Sequence, residues 1–130
     1  MSNTIQKIIE VITKKVKFAF IFGSVNTKYF NLKSDIDIAV WLEKKTFLVN
    51  EVIDLKYLIE KSIDFEYDID LIVLNNADII IANQIVTKGK LIVDNDKDFT
   101  DKYIYSRRSL YFDFKFFRKN LEENLKTKVL

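Results

Sequence analysis

Apolar positions in this chain change their period several times, and each change marks an element. Ile5, Ile8, Ile9 and Ile12 recur at helical spacing and predict a first amphipathic helix. Ser2 or Asn3 is placed to cap it, and Lys14, Lys15 and Lys17 close it near the negative end of its dipole. Phe18-Ala19-Phe20-Ile21-Phe22 and Ile38-Ala39-Val40-Trp41-Leu42 are short runs of β-favouring residues and predict two strands, the first from about Lys17 to Gly23. Helical spacing returns at Leu48, Val52, Leu55 and Ile59, giving a helix from about Phe47 to Lys61. Tyr67 to Leu74 reads as a third strand. Asp78 then caps a helix through about Lys88, with Ala82, Ile85 and Val86 inward and Gly89 just past its end. Lys90 to Val93 predicts a fourth strand at a sheet edge. The stretch from about Asp98 to Lys126 is one long helix or two.

The last helical stretch carries more apolar surface than one packing face needs. Leu110, Phe114, Phe117, Leu121 and Leu125 form one stripe, and Tyr105, Phe112 and Phe116 widen it. Two readings follow. Either the helix lies on the sheet and buries most of these rings, or part of the aromatic surface docks a partner.

Chemistry gathers where the first two strands meet. Gly23-Ser24 ends the first strand, and Asp35 and Asp37 open the second. Side chains alternate along a strand, so the two aspartates point the same way. Their Cα atoms lie roughly 6.6 Å apart, twice the rise per residue. Carboxylates at that separation can share a pair of Mg²⁺ ions, which sit about 3.5–4 Å apart in two-metal sites. Gly23 allows backbone to approach a ligand, Ser24 offers a hydroxyl, and a short helix and turn over Val25 to Lys33 would offer free N–H groups to a phosphate. On the third strand Asp68 and Asp70 alternate onto one face, and both stand between apolar neighbours. By contrast, the acidic cluster Asp94, Asp96, Asp98 and Asp101 lacks the Gly and final Glu of a Ca²⁺ loop and reads as a solvated turn and helix start.

Composition narrows the options. With 130 residues, 48% hydrophobic and 31% charged, the chain is expected to form a single globular domain. A net charge of +2 carries no strong nucleic-acid footprint. There is no Cys and no His, which removes thiol nucleophiles, imidazole bases and the usual zinc sites. The lack of Cys agrees with a reducing compartment, and no apolar run reaches membrane-spanning length, so a cytoplasmic location is expected. Gly occurs only at 23 and 89 and Pro nowhere, so Gly23 marks a special backbone position.

The stretch Phe22-Gly23-Ser24, ten residues, Asp35-Ile36-Asp37 resembles the Gly-Ser, ten residues, Asp-x-Asp signature of the minimal nucleotidyltransferases of the polymerase β-like superfamily. The resemblance spans roughly Phe18 to Val93. Ser34 matches as well, and Tyr111-Phe112-Asp113 looks like the C-terminal helix of these small proteins. One departure stands out: Asn26-Thr27-Lys28 replaces the usual Ala-Arg-Gly, so the phosphate contact implied for that Arg is missing unless Lys28 or Lys33 supplies it as a point charge, and each of these alone reads more readily as a surface lysine. The run Asp70-Leu71-Ile72-Val73-Leu74-Asn75 resembles the family's Asp-Leu-Val-x-Leu-Asn, which favours Asp70 over Asp68 as the third carboxylate.

What the resemblance implies is an α/β (α+β) fold of the polymerase β-like nucleotidyltransferase type. It has a mixed twisted sheet of about four to five strands, packed helices and a long C-terminal helix. Residues 1–130 would form one minimal domain, with a core over about 17–93 and a helical segment over about 98–127. It further implies an MNT-type antitoxin paired with an HEPN-domain toxin. Such a protein moves AMP from ATP to a tyrosine hydroxyl of the toxin and releases pyrophosphate. Asp35, Asp37 and Asp70 would be the catalytic residues and the ligands of two Mg²⁺, with Gly23 and Ser24 gripping the nucleotide. Two alternatives stay open: an antitoxin that works by binding alone, and transfer to a small molecule such as an aminoglycoside. A nucleic-acid polymerase role is weakest, since no basic stripe is evident.

Overall fold

The computed structural model describes residues 2–23, 35–43 and 49–129. Among them are four strands and four α-helices in the order α1 (Ser2–Ile12), β1 (Val16–Phe22), β2 (Ile36–Leu42), α2 (Val49–Ser62), β3 (Ile69–Val73), α3 (Ile79–Lys88), β4 (Lys90–Asp94) and α4 (Lys97–Val129). A 3-10 turn, Leu74–Asn76, follows β3. Ser24, the short helix expected over Val25 to Lys33 with Lys28 and Lys33, Ser34, and the residues Phe47 and Leu48 lie outside the described residues.

The strands form one mixed sheet in the order β3-β2-β1-β4. β1 is antiparallel to both β2 and β4, while β2 and β3 run parallel. The fourth strand is therefore at an edge, as its short polar-flanked sequence predicts.

Alternation along the strands divides the core into two layers. Ala19 and Ile21 of β1, Ile36, Ile38 and Val40 of β2 and Ile69 of β3 face α1 and α2, where Ile8, Ile12, Leu55 and Ile59 close over them. The opposite parity, Phe18, Phe20, Ala39 and Trp41, faces α3 and α4 and packs with Ile85, Val86, Phe99 and Tyr103. Phe18 anchors that second layer. Its ring lies 5.9 Å from Trp41, nearly parallel, and 5.0 Å from Tyr103. Aromatic pairs in this range add about 0.5–1.5 kcal/mol each beyond the area they bury.

Two details correct the expectations. Lys17 does not close α1; the helix stops at Ile12, and Lys17 lies within β1 with its ammonium 4.1 Å above the Phe99 ring. Gly89 does follow α3, but in an extended conformation (φ −77°, ψ 167°) rather than a left-handed one. The reason for glycine there is space. Its N–H donates to the Ile85 carbonyl at 2.7 Å, and a Cβ would sit 2.5 Å from that oxygen and 3.2 Å from the Ile21 carbonyl.

The long helix is one helix of 33 residues, and only its first part lies on the body. Tyr103 is buried, whereas every residue from Phe112 to Lys126 is exposed, Phe112 by 71%, Phe116 by 62% and Phe117 by 67%. The reading in which the helix buries most of its rings against the sheet therefore fails.

Candidate active site

Strand register brings the sequence-predicted aspartates together. Asp37 stands opposite Phe22 across the antiparallel β1–β2 pair and opposite Asp70 across the parallel β2–β3 pair. Asp37 and Asp70 share the parity of Ala39 and Ile72 and so emerge on the sheet face that carries α3 and α4. Asp35 lies two residues before Asp37, just outside β2, and is exposed. Asp68 also precedes its strand. It is exposed, and its carbonyl accepts a hydrogen bond from the Ile36 N–H at 2.8 Å, which ties the entrance of β3 to that of β2.

Gly23 closes the site from the β1 side. Its φ of +74° lies in the left-handed region that glycine occupies without strain, and a Cβ built there would overlap Oδ2 of Asp37. Both the turn and the carboxylate thus require glycine at this position. Phe22, the residue that heads the Gly-Ser signature, is the register partner of Asp37 and lies beside Gly89. Its position follows from the alternation of β1 once the register with β2 is known, and that register is a tertiary fact.

Electrostatics distinguish Asp37 from its neighbours. Its carboxyl is pushed up to about 6, first by burial, then by the charge of Asp70, by a hydrogen bond with Asp70 that favours the protonated form, and by the charge of Asp35. Every one of these influences raises it, and none comes from a cation. A cluster of hard oxygen donors whose mutual repulsion is unrelieved by any Lys or Arg among the described residues suits a divalent cation such as Mg²⁺. Among the described residues no three acidic side chains already converge into a formed metal shell. The fit to such an ion rests on donor chemistry, the pairing of Asp37 with Asp70 and the exposed Asp35 beside them.

A carboxylate pair on adjacent strands of a mixed sheet, beside a glycine turn at the end of the neighbouring strand, is the arrangement that the resemblance to nucleotidyltransferases implies. The sequence profile of the polymerase beta nucleotidyltransferase family matches residues 3–98, and the chain belongs to that family. No curated protein matches it significantly.

Solved structures show the same fold over nearly the whole chain. A chain of a toxin–antitoxin complex crystallised with AMP-PNP is 25% identical and superposes with a TM-score of 0.76, covering 93% of this chain and 97% of that one. A chain of the toxin–antitoxin MntA–HepT is 23% identical, with a TM-score of 0.72 over 96% of this chain and 98% of that one. A third likeness is to a complex of tri-AMPylated HEPN toxin with MNT antitoxin from Shewanella oneidensis, 23% identical, with a TM-score of 0.72 over 95% of this chain and 97% of that one.

Proposed function

We propose that this chain is a nucleotidyltransferase antitoxin that transfers AMP from ATP to a tyrosine hydroxyl of a partner HEPN toxin and thereby silences it. The observation that carries the reading is the register pairing of Asp37 with Asp70, flanked by Asp35 and closed by Gly23. Family membership and the likeness to toxin–antitoxin chains, one set crystallised with AMP-PNP and one with an AMPylated toxin, support it.

In this reading residues 1–130 act as one minimal domain. Asp35, Asp37 and Asp70 would hold two Mg²⁺, and Gly23 with Ser24 would seat the triphosphate. Bound Mg²⁺ would neutralise phosphate charge and lower the pKa of the attacking hydroxyl. The tyrosine oxygen attacks the α-phosphorus in line. A P–O bond forms there, the bond between the α-phosphorus and its bridging oxygen breaks, and pyrophosphate leaves with that oxygen. The hydroxyl proton passes to a carboxylate, a role this reading gives to Asp70, the register partner of Asp37. Since such a transfer needs mainly alignment and charge neutralisation, a site without His or Cys suffices.

Intact-mass spectrometry tests this. The chain is mixed with the HEPN protein encoded by the neighbouring gene, ATP and Mg²⁺, alongside the Asp35→Asn/Asp37→Asn variant. Gain of adenylyl units on the HEPN protein, absent with the variant, is expected. A stable complex with no gain on either protein would overturn transfer for this pair and leave an antitoxin that acts by contact.

A further inference from the structure

The departure at Asn26-Thr27-Lys28 removes the Arg that the resemblance implies for a phosphate contact. A triphosphate laid against Asp35, Asp37 and Asp70 sets like charge beside like charge. Divalent ions relieve that at the carboxylate end. The far end of the triphosphate calls for a cation supplied by the chain itself.

Sheet order says where that far end lies. At the end of the sheet that carries the carboxylates, Asp70 on β3, Asp37 on β2, the Gly23 turn after β1 and the start of β4 stand in a row. Adjacent strands are about 4.8 Å apart, so β2 and β4 are separated by roughly 10 Å. A triphosphate with its α-phosphate at Asp37 and its chain crossing the Gly23 turn therefore ends at the connection between α3 and β4. That connection is Lys88-Gly89-Lys90. It is held close to the site: a Cβ at Gly89 would lie 3.4 Å from Cβ of Phe22, and Phe22 is the register partner of Asp37.

The two lysines differ in the face they belong to. α3 lies on the sheet face shared by Asp37 and Asp70, and Lys88 is its last residue. Lys90 stands opposite Ile21, whose side chain faces α1 and α2, so it belongs to the other face. Both are exposed. The last carbonyls of α3 form the negative end of its dipole and would repel a phosphate if left bare. A cation in that last turn makes the same helix end attractive to one.

We propose that Lys88 receives the β- and γ-phosphates of the nucleotide, in place of the Arg that the resemblance implies after Gly-Ser. The proposal rests on the nucleotidyltransferase reading above and names the residue that grips the leaving pyrophosphate. Lys88 meets the phosphates as a point charge, so one or two oxygens suffice for the contact. It is not among the groups that act on the Asp37 carboxyl, which fits a cation at the far end of a ligand rather than one in ionic contact with the carboxylates.

The test measures binding of ATP and of AMP, each with Mg²⁺, to the full chain by calorimetry. Wild type is compared with Lys88→Gln, Lys88→Arg and Lys90→Gln. Lys88→Gln is expected to weaken ATP about 10-fold or more while AMP binds as before, since a contact to a charged group is lost only where the β- and γ-phosphates exist. Lys88→Arg keeps most of the ATP affinity, and Lys90→Gln binds both nucleotides like wild type. A Lys88 that only complements the dipole of α3 would shift the thermal melt and leave the preference for ATP over AMP unchanged, which overturns the proposal. Equal losses in Lys88→Gln and Lys90→Gln would assign the effect to general charge at the sheet edge and overturn it too. Wild-type ATP affinity in Lys88→Gln overturns it and leaves the nucleotide reading standing. A wild-type chain that binds no ATP removes the nucleotide reading and the proposal together.

Discussion

At Gly23 two constraints meet in one residue: a φ of +74° and the Asp37 carboxylate lying where a Cβ would be. Gly23→Ala meets both, the left-handed backbone at about 1 kcal/mol and the overlap in addition. The variant is expected to lose about 1–3 kcal/mol in urea unfolding and, because the overlap displaces Asp37, roughly 100-fold in transfer rate. Asp37 itself sets a pH dependence. With its carboxyl raised to about 6, the native state holds a proton that the unfolded chain releases at lower pH, so the contribution of Asp37 to stability is most favourable in acid and is lost as pH rises through about 6. Asp37→Asn removes the ionisation and is expected to be more stable than wild type at pH 7 by about 1–2 kcal/mol, discounted for partial exposure. The advantage disappears at pH 4. Paired thermal melts at pH 4 and pH 7 without divalent ions check it: equal differences at both pH values would show that Asp37 ionises freely. The fold thus gives up stability at neutral pH to keep Asp37 beside Asp70.

Among the elements, the start of α4 shows how the acidic cluster is used. Asp96 caps the helix by accepting from the Phe99 N–H at 3.2 Å and pairs with Lys17 at 3.5 Å. Asp94 accepts from the fully buried Thr100 hydroxyl at 2.8 Å. The side-chain amide of Asn95 donates to the carbonyls of Thr13 and Val16, which ties this junction to the α1–β1 turn. Asp96→Ala is expected to destabilise the domain by about 1 kcal/mol, measured by denaturant unfolding, mostly through the lost cap. A change below a few tenths would mean that Asp94 and Asn95 hold the helix start unaided. The cluster was legible as a helix start because capping is local chemistry, and so were β1, β2 and the Asp78 cap of α3, whose side chain accepts from the Ile81 N–H at 2.9 Å. The third strand is shorter than its apolar run predicts: Leu74 turns out of the sheet, and the amide of Asn75 bridges both backbone groups of Leu42. What the sequence alone left open is non-local. The adjacency of Asp70 and Asp37 depends on parallel register between β2 and β3, and the space that requires Gly89 belongs to α3 and β1 together. Neither is visible in a period or a spacing.

As a whole the molecule is a three-layer body with a lever. The sheet, α1, α2, α3 and the first part of α4 share two apolar layers, while Phe112 to Lys126 touch water throughout. Among the described residues no helix is long and apolar enough to cross a membrane, α4 included. A half-helix whose side chains are exposed from Phe112 to Lys126 adds little to the body's stability, since exposed helical turns are marginal in water. A chain ended after Tyr111 is therefore expected to unfold within about 1 kcal/mol of the full chain, as surface changes away from packing contacts do. It should keep its nucleotide affinity, because Gly23, Asp35, Asp37 and Asp70 lie on β1, β2, β3 and their flanks. It should also be more soluble, having shed the exposed rings. Urea unfolding and ATP binding by calorimetry measure the first two. A loss of several kcal/mol would mean that the far half of α4 folds back onto the body. A loss of ATP affinity at unchanged stability would place that half over the candidate site, making α4 a part of it.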